Sequence, residues 1–441
     1  MDFFISFLVF WGVWLLVPML IDGATTLLSL GSVLWVRWGR RWHKPTPLRH
    51  FPLISIIIPV YNSEKTLETC LRSLTAQDYP LECINILVVN NGSTDRSFEI
   101  FNRLQQELPL ILNWHSIINK GKAWALNAGI HLTQGVYLCN IDSDVVLAPD
   151  AIRQIVEKME AEPDLGAVTG AVEVLPPPED ASLSQLFLDE CEFFEYLTAF
   201  HVGREQQTLL RSLYTLSGAF SVFRRDVLLR TFLYSQQTVA EDTDITFELY
   251  ERFSQYRIGC VSEAIAYVHP IESLGALYAQ RVRWQRGQIE VSARHAALMN
   301  RSVLRVSGFN PARALVIDHT LAFPRLVWTF LLPVLVLFGY SPGLIISALI
   351  TLYIFYMLID LSWIGVAWLG AKPSARHRLR KTGWLLPFLP LYRMIIFWFR
   401  FSGFLYAVAE PGTWRVQDPL VQTRLGWEDL RARWRGWRKL P

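Results

Sequence analysis

Val136-Tyr137-Leu138-Cys139-Asn140-Ile141-Asp142-Ser143-Asp144 is the stretch that decides the fold. Its first six residues carry no charge and suit a strand buried on both faces, and the two carboxylates after them mark the strand's open end. Two similar runs precede it, Leu53-Ile54-Ser55-Ile56-Ile57-Ile58-Pro59 and Ile84-Asn85-Ile86-Leu87-Val88-Val89. Between those two, Leu67, Leu71 and Leu74 recur at helical spacing. Strand–helix–strand alternation predicts an α/β domain over residues 52–270 with a doubly wound sheet, whose ligands sit at the carboxyl ends of its strands.

Outside that domain the chain turns apolar. Over all 441 residues, hydrophobic residues make up 51% and charged residues 18%, and there are 17 Trp. This content excludes a disordered chain, and Trp in such number suits membrane interfaces. The 42 Lys+Arg and 39 Asp+Glu gather largely in the middle of the chain, which excludes a wholly embedded transporter. A formal net charge of +3 gives no reason to expect nucleic acid as a partner. Five Cys without a C-x-x-C pair suggest neither a zinc site nor a disulfide framework.

Residues 1–44 read as a transmembrane anchor of one span or two. About 34 apolar residues as helix exceed the ~30 Å hydrocarbon core, and one long span is preferred over two short ones. The flank Arg37-Trp38-Gly39-Arg40-Arg41 places the soluble domain in the cytoplasm by the positive-inside rule. Residues 45–272 form that domain, 273–312 interfacial amphipathic helices, and 313–371 two transmembrane helices. The basic run Lys372 to Lys381 then suits the cytoplasmic side. Trp384–Ala409 could span, yet it carries Arg393 and Arg400, and a charge at the bilayer centre costs roughly 2.5–3.5 kcal/mol. Residues 372–409 are therefore expected to be a basic loop and an interfacial or re-entrant helix, with a cytosolic tail over 410–441.

Six motifs succeed one another in the soluble part. Ile58-Pro59-Val60-Tyr61-Asn62-Ser63-Glu64 ends the first strand in a turn that offers backbone N–H groups. Val89-Asn90-Asn91-Gly92-Ser93-Thr94-Asp95 ends the second, and Asn119-Lys120-Gly121-Lys122 sets two cations at a glycine turn. Asp142 and Asp144, spaced i, i+2 behind a strand, can reach a hard divalent cation together with diphosphate oxygens. Ala240-Glu241-Asp242-Thr243-Asp244 places acids where a helix N-terminus favours them. In Gln280-Arg281-Val282-Arg283-Trp284, helical spacing puts Gln280, Arg283 and Trp284 on one face.

In this order the motifs resemble the processive family-2 glycosyltransferases, the bacterial cellulose, hyaluronan, chitin-oligosaccharide and poly-N-acetylglucosamine synthases, over about residues 50–290. The resemblance implies a GT-A (Rossmann-like) cytosolic domain inserted between transmembrane and interfacial helices. It implies donor contacts from Pro59, Tyr61, Glu64, Asn90, Asn91, Lys120, Lys122, Asp142, Gln280, Arg283 and Trp284. Both leading acids of the family's V-D-D-G-S-x-D turn are Asn here; an amide can still accept from a uracil N–H, but it brings no charge. Asp144, with Asp142, would hold Mg2+ or Mn2+. Asp242 would be the base, and Gly218, Ala219, Glu241 and Trp284 would line the acceptor site. Thr413 and Trp414 resemble a gating loop.

The activity implied is inverting transfer from a UDP-sugar to a growing β-linked polysaccharide, fed across the inner membrane of a bacterium. An export or modification partner beyond the membrane and self-association are compatible with that. The alternatives are transfer of one sugar to a membrane lipid acceptor and a catalytically degenerate scaffold subunit.

Overall fold

Apolar β-branched runs become the middle of a sheet because strands buried on both faces favour apolar side chains throughout. In the computed structural model, which describes residues 11, 15–40, 48–299 and 331–409, helix α1 (Val17–Arg40) leads into β1 (Ile54–Val60). Then come α2 (Leu67–Thr75), β2 (Ile84–Asn90), α3 (Ser97–Glu107), β3 (Ile111–Ser116), α4 (Lys122–Leu132) and β4 (Tyr137–Ile141). These four strands are parallel, with Ile54 paired to both Ile84 and Tyr137. Leu67, Leu71 and Leu74 of α2 are buried against one face of the sheet. Ala123, Leu126 and Ile130 of α4 cover the other.

The expectation of a doubly wound sheet holds for this half and fails for the rest. After β5 (Val146–Leu147) and α5 (Ala151–Ala161) come β6 (Leu165–Val174), α6 (Leu183–Tyr196), a π-helical segment (Leu197–Gly203) and α7 (Arg204–Leu209). Strand β7 (Phe220–Arg224), α8 (Glu241–Arg252), β8 (Arg257–Val268) and α9 (Leu274–Arg294) complete the domain. The eight strands lie in the order β3-β2-β1-β4-β7-β6-β8-β5. Strand β7 runs antiparallel to β4 and to β6, and β5 antiparallel to β8. The cause is local: the Ser217–Ala219 segment meets the carboxyl end of β4, where the Asp142 N–H donates to the Ala219 carbonyl at 3.4 Å. A strand that starts there can only run back along β4.

The described parts of the apolar flanks are helical. Among the described residues, three helices are long and apolar enough to cross a membrane: Met19–Gly39, Pro342–Gly370 and Pro373–Ala407. Pro18 and Gly23 do not break α1, and Asp22 on it accepts a hydrogen bond from the Tyr356 hydroxyl at 2.8 Å. Tyr356 belongs to α10 (Pro342–Gly370), after which come α11 (Pro373–Thr382), a 3-10 stretch at Gly383–Phe388 and α12 (Leu389–Ala409). Of the stretch Leu321–Gly339, only residues from 331 onward are described, and the tail with Thr413 and Trp414 lies outside the described residues.

The basic run 372–381, expected as a loop, forms α11 instead, and two of its cations are paired. Lys372 pairs with Asp150 at 2.6 Å, and Arg378 pairs with Glu190 at 2.9 Å while donating to the Val174 carbonyl. They bolt the membrane-side helices to the sheet domain. The Arg378 and Glu190 side chains are 12% and 4% exposed, and removing one partner of a buried pair costs about 3–5 kcal/mol. Arg378→Ala is therefore expected to lower the melting temperature of detergent-purified protein markedly; an unchanged transition would show that the contact holds nothing.

Candidate active site

The turns after β1, β2 and β4 come together because parallel strands end on one edge of a sheet. Asn62, in the left-handed region at φ 52°, accepts from the Thr94 N–H at 2.9 Å, which clasps the first turn to the second. Asn is among the few residues that tolerate this conformation. Asp95 accepts from the backbone N–H of Glu64 at 2.9 Å. Asn91 accepts from the Gly121 N–H at 2.7 Å, which fastens the second turn to the start of α4. Gly121 itself has φ +138°, a conformation a side chain would strain.

These turns form one side of a cavity of about 1880 Å³. Pro59, Tyr61, Glu64, Asn91, Lys122, Asp142 and Asp144 line it there. Gly218, Ala219, Glu241, Asp242, Gln280, Arg283 and Trp284 line the same cavity, and a Cβ on Gly218 would come within 4 Å of Lys122, Asp242 and Asp142. The residues expected at the donor and acceptor sites thus share one space, with two exceptions. Asn90 and Lys120 lie outside its lining. Asn90 turns its side-chain carbonyl oxygen back to the Ser93 N–H at 2.9 Å, and Lys120 precedes the helix whose first residue is Lys122.

Lys122 is the cation at the centre. Its ammonium is 2.5 Å from Asp142 and 3.7 Å from Glu241. Burial works against the charged form, but Asp142 and Glu241 outweigh it and raise the proton affinity of the amine. Burial pushes the Glu241 carboxyl up to about 7, against the pull of Lys122. Asp144 is also raised, first by burial and then by the charge of Asp142. Two crowded carboxylates at a strand end, one of them destabilised as an anion, suit a divalent cation. Among the described residues no three His, Cys, Asp or Glu side chains converge into a complete cage, so diphosphate oxygens would have to complete the ligand shell.

Asp242 stands at the start of α8. One carboxylate oxygen accepts from the Gly218 N–H at 3.2 Å and the other from the Thr243 N–H at 2.7 Å. A helix-terminal acid and a cavity carboxylate are therefore one and the same side chain. Asp244 instead leaves the cavity and joins Arg294 and His295, each at 3.3 Å. Behind the acid segment, α9 approaches so closely that a Cβ on Gly287 would lie 2.4 Å from the Ala240 Cβ. Overpacking of this kind costs about 1–3 kcal/mol. Gly287→Ala is expected to displace the Glu241-Asp242 turn and lower turnover more than it lowers the melting temperature; full turnover would show that the turn does not need this contact.

Some lining residues escaped sequence reasoning. His269, after β8, lines the cavity and bears on the charge of Asp144; a strand-end His was the available signal. Arg204 lies over the Phe200 ring at 4.4 Å, and both reach the wall from the π-helical segment and its exit; nothing in the local pattern marks them. Arg400 also lines the cavity, while Arg393 pairs with Asp360 of α10 at 2.6 Å. The two arginines of α12 thus turn toward protein.

Residues 55–232 match the family model described as Glycosyl transferase family 2. The poly-beta-1,6-N-acetyl-D-glucosamine synthase of Staphylococcus aureus (strain COL) is 30% identical over 241 residues, covering 55% of this chain and 56% of that one. The synthase of the same name from Staphylococcus epidermidis is 29% identical over 247 residues, with the same coverage of each chain. The chain thus spans about half the length of these curated relatives. A solved mannosyltransferase from Pyrobaculum calidifontis, in complex with GDP-Man and Mn2+, is 20% identical with a TM-score of 0.53. That likeness covers 88% of this chain and 98% of the other, and shows a shared GT-A-like fold.

Proposed function

We propose, from a chain that carries a Glycosyl transferase family 2 domain, that it is a membrane-bound inverting glycosyltransferase that polymerises sugar from a UDP-sugar into a β-linked polysaccharide. The observation that carries this reading is the gathering of Asp142, Asp144 and Asp242 in the lining of one cavity, with Lys122 between Asp142 and Glu241. Donor-side charges and an acceptor-side carboxylate are what single displacement requires. The acceptor hydroxyl oxygen attacks the anomeric carbon, Asp242 takes the hydroxyl proton, and UDP departs with the electrons of the broken C–O bond. Lys122 and Arg283 offset the charge gathering on the leaving diphosphate. Asp144 and Asp142 would hold a divalent cation, which when bound would supply Lewis-acid stabilisation of the leaving diphosphate.

The catalytic domain is read as cytoplasmic, at the inner membrane of a bacterium, with the 372–409 region at the membrane's cytoplasmic face and the polymer passed outward. Its relatives' name makes UDP-N-acetylglucosamine the first donor to offer. A second reading, transfer to a lipid acceptor, is favoured by the small number of candidate spans, three among the described residues, which make a narrow wall for a polymer path in a single chain.

Incubating the purified protein with radiolabelled UDP-sugars and Mg2+ or Mn2+, then sizing the product, tests both. Long labelled polymer is expected. A lipid-linked monosaccharide would overturn polymerisation and keep the transferase. UDP binding with no transfer from any donor would leave the scaffold reading.

A further inference from the structure

Within Gln280-Arg281-Val282-Arg283-Trp284, Arg281 does not line the cavity, and it is fully buried. A guanidinium is rarely buried so completely without a structural task. Its Cζ lies 4.4 Å from the centre of the Trp284 ring, a cation–π contact, and 5.8 Å from that of Tyr196. One nitrogen donates to Glu195 at 2.8 Å, and the same carboxylate oxygen accepts from the Tyr392 hydroxyl at 2.9 Å. Trp284 also meets the Phe200 ring edge-on at 6.2 Å. Phe200 stands on a π-helical segment, a feature frequent at functional sites.

The cluster reaches the membrane-side helices. Next to Tyr392, Arg393 donates to the Thr198 hydroxyl at 3.4 Å and pairs with Asp360. Thr198 in turn donates to the Glu195 carbonyl at 3.0 Å. A continuous set of polar contacts therefore runs from Asp360 in α10, through α12 and the end of α6, to Arg281 and the indole at the cavity wall.

We propose that Arg281 is the positioning residue of the acceptor site: held by Glu195, whose carboxylate Tyr392 in turn engages, it fixes the indole of Trp284 at the angle where the apolar face of an acceptor sugar stacks. The inference rests on the glycosyltransferase reading and deepens it. Asp142, Asp144 and Lys122 of the donor site belong to other elements, and Arg281 itself does not line the cavity. Desolvated cation–π contacts on Trp are among the stronger of their kind, and loss of one leaves the ring free to turn.

The test uses the full chain in detergent, a β-linked N-acetylglucosamine oligosaccharide as acceptor, and UDP calorimetry beside transfer kinetics. Arg281→Met is expected to raise the acceptor KM on the order of tenfold while UDP affinity stays at the wild-type value. Arg281→Lys, which keeps the charge, should recover part of the loss. The double variant Arg281→Met/Trp284→Ala should be no worse than Trp284→Ala alone. Should Arg281→Met fail to fold, Tyr392→Phe removes one contact from the same cluster and should raise the acceptor KM alone, by a smaller factor. An unchanged acceptor KM in these variants, or an equal loss of UDP affinity, overturns the proposal. If wild-type protein bound UDP but used no acceptor, the transferase reading itself would fall, which is a distinct result.

Discussion

Asp242→Asn abolishes sugar transfer while UDP and metal binding stay intact: this is the expected result with the largest effect. Removal of a general base costs about 10²–10⁴-fold. The amide is nearly isosteric, and its oxygen can still accept one of the Gly218 and Thr243 N–H bonds that hold the carboxylate. The turn should therefore keep its place while the side chain loses its capacity to take a proton. Single-turnover kinetics with saturating donor and acceptor measures the chemical step, and calorimetry with UDP and Mn2+ measures the rest. Near-normal turnover in this variant would move the base to another group, with Glu241 the nearest candidate by sequence and by its place in the cavity.

The second expectation concerns the strand end. Asp144→Ala should lose the metal-dependent part of UDP binding and, with it, turnover. Lewis-acid stabilisation is worth several kcal/mol, and each 1.36 kcal/mol is about a factor of ten, so the loss should be on the order of a thousandfold. The variant also removes a carboxylate that burial, and then the charge of Asp142, disfavour as an anion. Protein stability should therefore rise slightly or stay level while activity collapses. Titrating UDP with and without Mn2+ decides the point. Equal UDP affinity in wild type and variant under both conditions would reduce Asp142-Ser143-Asp144 to a turn.

Much of the candidate site was legible because its parts are short and local. A β-branched run with two acids behind it says where a strand ends, and i, i+3, i+4 spacing says which face Gln280, Arg283 and Trp284 share. Those readings need only backbone periodicity. The amides that replace the expected acids at Asn90 and Asn91 are another matter. Both bond to backbone N–H groups, and Asn91 does so across 30 residues of chain to Gly121; no local rule announces such a partner.

Sequence alone determined that an apolar sheet lies between apolar flanks, that its strands end in turns rich in acids and amides, and that one helical face bears an amide, a guanidinium and an indole. Each of these comes from side-chain chemistry repeated at the period of a strand or a helix. Tertiary structure alone decided that half the sheet is mixed, that Lys122 rather than Lys120 enters the cavity, and that Arg378 grips Glu190. It also decided that Arg393 and Arg400 turn toward protein, where a charge finds Asp360 or the cavity. The reason is the same throughout: a charged side chain's partner is chosen by which surfaces pack together, and partners 188 residues apart, as Glu190 and Arg378 are, share no pattern along the chain.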